Sequence, residues 1–120
     1  MARATISVHS LNDRNDFSDI TTLETAVDTT SKQAEFIMNE RDDKYLILVH
    51  NTGSTAANVI VKAGNGIQGV ADLTHSVASK TYAAVSLDSG CYKNVSGDDK
   101  GKVIIESSVT DVSVAVFKLP

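Results

Sequence analysis

The sequence predicts an all-β domain, an antiparallel β-sandwich with a jelly-roll-like wrap and at most one short helical segment, and three observations carry that expectation. Eight short runs with a two-residue apolar period are spread over 120 residues. Aromatic residues make up only 5% of the chain and tryptophan is absent, whereas Val, Ile, Thr, Ser and Ala recur throughout. That mixture suits short strands packed through small β-branched side chains. Finally, Gly, Asn, Asp and Ser collect between the runs, where turns need them.

In chain order the expected strands are 4–9 (ATISVH), 22–27 (TLETAV), 34–38 (AEFIM), 44–50 (KYLILVH), 56–63 (AANVIVKA), 82–87 (YAAVSL), 101–108 (GKVIIESS) and 111–119 (DVSVAVFKL). NTGST reads as a hairpin loop between the fourth and fifth, SGDDKG opens the seventh, and residues 109–111 turn the seventh into the eighth. The fourth and eighth are apolar on both faces: Tyr45, Ile47 and Val49 oppose Leu46, Leu48 and His50, and Val112, Val114 and Val116 oppose Ser113, Ala115 and Phe117. Such strands belong in the middle of a sheet, with the second face under a loop or a neighbouring subunit. The helical claim is confined to FSDITTLETAVD, where Phe17, Ile20, Leu23 and Val27 have near-helical spacing but the threonines oppose more than one or two turns.

A chain of this length makes one domain, 1–120, and buries roughly two thirds of its extended surface without metal or disulfide support. Residues 1–21 are free to serve as an N-terminal arm. The net charge of −4 is uneven: residues 1–43 hold nine acidic and four basic side chains, residues 44–120 six and seven. No basic stripe with interleaved aromatics marks a nucleic-acid surface. Asp13, Asp16 and Asp19 in the acidic first third are candidates for meeting a basic partner, against the plainer reading of a solvated face. Cys91 is the only cysteine, so no disulfide forms within the chain. MARATISVHS lacks the apolar core of a signal peptide and no apolar run reaches the roughly 20 residues that span a bilayer, so a cytosolic, soluble product without membrane contact is expected. The Asn94–Ser96 glycosylation match is then fortuitous.

Three glycines in VKAGNGIQG, residues 61–69, pose the question of a phosphate loop. A triphosphate loop needs Lys followed by Ser or Thr after its glycines, and here IQGVADL follows Gly66. Gly64, Gly66 and Gly69 are therefore expected to serve loop geometry, through positive φ or close backbone approach, in an excursion that runs to about Thr81. His9, His50 and His75 show no metal spacing, neither aspartate pair (Asp42 with Asp43, Asp98 with Asp99) follows a calcium loop, and no Gly-x-Ser-x-Gly elbow occurs. The expectation is no metal, no cofactor and no enzymatic activity.

LVHNTGSTAANVIVKAGNGIQGVADL, AVSLDSGCYKN and KGKVIIESSVTDVSVAVFKLP, covering about the last 75 residues, resemble the small β-sandwich virion proteins of phages, capsid decoration and auxiliary head proteins among them. The resemblance implies a non-enzymatic protein made in the host cytoplasm and carried on the virion. It also implies a homo-oligomer, a trimer by preference, bound to the major capsid protein or another virion protein. No functional residue is carried over. A carbohydrate-binding module is the alternative, and it needs Tyr45, Tyr82 and Tyr92 gathered on one exposed face in place of a tryptophan platform.

Overall fold

A computed structural model describes residues 2–120. Ten strands form two sheets. They are β1 (Ala4–Thr5), β2 (Val8–Ser10), β3 (Thr25–Ala26), β4 (Gln33–Ile37), β5 (Tyr45–Asn51), β6 (Ala57–Val61), β7 (Leu73–Val77), β8 (Tyr82–Val85), β9 (Lys102–Ser107) and β10 (Val112–Lys118). One sheet has the order β1-β4-β9-β6-β7; the other runs β2-β10-β5-β8, with β3 also on β10.

From β3 onward the chain folds as four nested antiparallel pairs: β3 with β10, β4 with β9, β5 with β8, and β6 with β7. Pairing first with last, second with second-last and so inward is what rolling up one long hairpin produces, and it is the jelly-roll wrap expected from the sequence. The links 52–56 and 108–111 therefore pass from one sheet to the other. NTGST, expected as a hairpin loop, is one of these crossings, because β5 and β6 lie in different sheets.

Period 2 explains the core. Tyr45, Ile47 and Val49 of β5 and Val112, Val114 and Val116 of β10 meet Phe36, Val59, Val103 and Ile105 from the other sheet, all buried. The outer faces of β5 and β10 are apolar for a second reason. Residues 11–20 cross that face, lining a hollow with Leu46, Leu48 and Phe117, and Ala115 and Phe117 are buried there.

The N-terminal stretch expected as an arm divides in two. Residues 4–10 are woven into the sandwich: β1 lies parallel to β4 in one sheet, β2 lies parallel to β10 in the other, and Ile6 between them is buried. Only residues 11–24 behave as an arm across the surface. Helix appears elsewhere than expected. FSDITTLETAVD contains the Thr21–Thr22 turn and β3, whose backbone pairs with β10, while the short helix α1 is Ser89–Tyr92 and a 3-10 turn occupies Asp42–Lys44. At α1 the Asp88 carboxylate accepts from the Gly90 N–H, the local bond that opens the turn.

Asn51, wholly buried at the end of β5, joins the 52–56 crossing to the end of β7. Its Nδ2 donates to Thr55 O at 2.8 Å and to Val77 O at 3.0 Å, and its Oδ1 accepts from Gly53 N at 3.0 Å. Replacement of Asn51 by Leu leaves Val77 O unpaired in the interior and removes the half-buried bonds to Thr55 O and Gly53 N. Asn51→Leu is expected to lower unfolding free energy by about 3 kcal/mol, since each buried group left unpaired costs roughly 1–3 kcal/mol. Urea denaturation followed by circular dichroism measures it.

Candidate functional site

The 62–72 loop is built from its backbone outward. Lys62 N–H still donates to Ile104 O at 2.9 Å, as a continuation of β6, and then the chain leaves the sheet. Asp72 closes the loop at its base, its Oδ1 accepting from Ala63 N at 2.7 Å and its Oδ2 from Lys62 Nζ at 3.1 Å. The Ala63 N–H first, and then Lys62, hold the Asp72 carboxyl below the usual carboxylate range. This closure is therefore in place above that range and lost only as pH falls through the depressed value.

The middle of the loop is fixed to the segment around α1. Gly64 N donates to Cys91 O at 2.9 Å, and the Asn65 amide spans the gap twice, donating to Ser96 O at 3.0 Å and accepting from Val95 N at 2.7 Å. Thus the loop is held on a second layer of chain. From it Ile67 and Val70 project into solvent, Ile67 fully exposed and Val70 86% exposed, with half-exposed Val95 beside Gly66.

The three glycines divide by mechanism. A Cβ on Gly64 would run into the Lys93 carbonyl oxygen, and one on Gly69 into the carbonyl of Gly64, so both are required by close backbone approach. A Cβ on Gly66 would meet the Val95 methyls at 3.6 Å and the Gly90 carbonyl oxygen at 3.9 Å, ordinary contacts. Positive φ is found instead at Gly97 and Gly101, in the loop that opens β9. Part of the excursion expected to reach Thr81 is regular: residues 73–77 are β7.

Asp13, Asp16 and Asp19 all lie exposed on the arm. Asp16 Oδ1 accepts from Phe17 N at 2.9 Å, and Asp19 Oδ1 accepts from Thr21 N and Oγ1 at 3.0 and 2.6 Å. These two carboxylates shape the turns that leave Phe17 96% exposed. The aspartates of the arm and the glycines of the loop are parts of separate structures and do not converge.

Among the described residues no group of three or more His, Cys, Asp or Glu side chains has metal-binding proximity. The histidines sit apart, on β2, β5 and β7. His50 is placed by two contacts that period 2 alone does not reveal: Nδ1 lies 3.0 Å from Glu24 Oε2, and the ring stacks on Tyr82 with centroids 3.9 Å apart. The set braces the arm's end against the outer face of β5 and β8. The tyrosines are likewise dispersed. Tyr45 is buried, its hydroxyl accepting from Asn39 N and Glu40 N at 3.1 Å each; Tyr82 is on the outer face, and Tyr92 is half-buried against the core. They form no common stacking platform.

The sandwich is open along one long side. Between β7 and β8 a slot of about 250 Å³ reaches the core, lined by Ile47, Val49, Val59, Val61 and Ile105 at its floor and by Leu73, His75, Val77, Ala83 and Val85 at its lips. No protein-family model, curated protein or solved structure matches the chain.

The loop geometry sets an order among the glycines. Gly64→Ala and Gly69→Ala are expected to destabilise the fold by about 1–3 kcal/mol, the scale of overpacking against a fixed neighbour. Gly66→Ala is expected to stay within about 0.5 kcal/mol. Thermal melts of the three variants side by side test the ranking; equal effects would contradict it.

Proposed function

We propose that this protein is a non-enzymatic structural component of a phage particle, a capsid decoration or stabilisation protein that adheres to the assembled shell through its loop tips. The observation that carries the reading is the pair Ile67 and Val70, held fully or nearly fully in water by a loop whose backbone is tied down on both sides. Apolar side chains on a fixed loop lose little conformational freedom on docking, so most of their burial free energy goes into binding. Full burial of each contributes about 1.5–3 kcal/mol.

Phe17, on the acidic arm with Asp13, Asp16 and Asp19, offers a second exposed contact with charge around it. Contacts of this size are weak singly and become effective when many copies meet a repeating lattice. The jelly-roll wrap is used in viral shells and also in lectins and cupins, so it supports the assignment by analogy alone. The sequence resemblance over the last 75 residues adds to it.

The test is co-sedimentation with purified capsids made without this protein, at low and high salt. Binding is expected, weaker at high salt because the arm's charges are exposed. A double substitution, Ile67→Asp with Val70→Asp, is expected to cut the affinity at least tenfold while leaving the melting temperature unchanged, since neither side chain packs in the fold. Failure of the wild-type protein to bind any capsid state at any salt concentration would overturn the proposal.

A further inference from the structure

We infer that the open side of the sandwich is a self-association edge, at which β7 of one copy pairs antiparallel with β8 of the next to give a closed homo-oligomer. The two long sides of the sandwich are treated differently. On one, the chain's own residues 4–10 cap both sheets and drive Ile6 into the core. On the other, β7 and β8 are both sheet edges, and the apolar slot between them stays open. Isolated edges are normally guarded by charge, proline, a bulge or a covering segment. Leu73–Val77 (LTHSV) and Tyr82–Val85 (YAAV) contain no charged residue and no proline.

The occupant that fits is a second copy. What the lips present is unpaired strand backbone flanking aliphatic side chains, which a neighbouring strand edge satisfies and a free hydrocarbon does not. With no formal charge on either edge, two copies meet without repulsion, and Ala83 and Ala84 allow close approach. The four-residue link 78–81 makes β7 and β8 run in opposite senses. Rotation about an axis along the strands therefore sets β7 of each copy antiparallel to β8 of its neighbour, inner face continuing into inner face, and every slot is closed by the ring. The two-faced strands β5 and β10, which suggested an oligomer from sequence, are not the surface involved: their second face is covered by the arm.

The inference is independent of what the loop tips bind, and so is its test. Light scattering in solution is expected to give a small integral multiple of 12.7 kDa. His75→Lys, which places a charge at the lip where His75 is already exposed, is expected to give a monomer with the wild-type circular dichroism spectrum and a melting temperature that no longer rises with protein concentration. In a Cys91→Ser background, Thr74→Cys and Ala84→Cys proteins are expected to form disulfide-linked pairs when mixed and oxidised, and little when either is oxidised alone. A wild-type monomer at all concentrations, an oligomer that survives His75→Lys, or strong crosslinking of the Thr74→Cys protein by itself would each overturn the inference. None of these outcomes bears on capsid co-sedimentation, so the two readings fail separately.

Discussion

The arrangement of this sandwich depends on a buried amide. A jelly roll must carry its chain from sheet to sheet at the ends, and each crossing takes backbone groups out of the ladders and away from water. At the end of β5 the Asn51 side chain supplies the missing partners, taking up Thr55 O, Val77 O and Gly53 N together. Its own N–H donates to Thr81 O at 3.0 Å, while Thr52 N and Oγ1 both reach Asp111 O at 2.8 Å. The end of β7 and the link into β8 are thereby referred to the same residue. The spacing of the two lips of the slot is set from Asn51.

The opposite side is fastened by charge. Arg3 lies 3.4 Å from Glu35 and 3.0 Å from Asp99, and Lys102 lies 2.8 Å from Glu35, forming a chain of alternating sign from β1 across β4 to β9. The Asp99 contact, then Glu35, hold the Arg3 proton more tightly than usual, and Glu35 does the same for Lys102. These side chains are only 14–34% exposed. Their effect here is positional: a two-residue strand, β1, has too few ladder bonds to fix its own register, and the guanidinium fixes it from the side.

Most of the fold was legible because burial on one face leaves a period-2 mark. β5, β6, β9 and β10 each alternate against a core and were found nearly to their ends. β7 was missed for a physical reason: with only one neighbour and one half-open face, LTHSV needs no strict alternation, and its central inward position is a histidine. The helix-like spacing at 17–27 was misleading, since Val27 owes its burial to β10 and Phe17 is not buried at all. In the candidate surface, the geometric role expected of all three glycines is found at Gly64 and Gly69 and not at Gly66. Which glycine does what depends on the backbone of Lys93 and of Gly64 itself, contacts that tertiary folding creates. Nothing local distinguishes the exposed Ile67 and Val70 from core residues, just as nothing marks Glu24 as the partner of His50.

The parallel strand β2 has a bearing on how the molecule is made. Val8 pairs with Val116, so the second of the chain's strands waits for the last. The 107 residues between them take roughly 5–20 s to synthesise at about 5–20 residues per second. Throughout that interval the sheet β2-β10-β5-β8 lacks an inner strand, and β2 and β3 wait for β10 as their partner. The apolar faces of the nascent chain stay unpaired, a condition that favours slow closure and exposure to chaperones. Closure of the domain thus waits for residue 118, although the pairs β6–β7, β5–β8 and β4–β9 are complete in the chain before it.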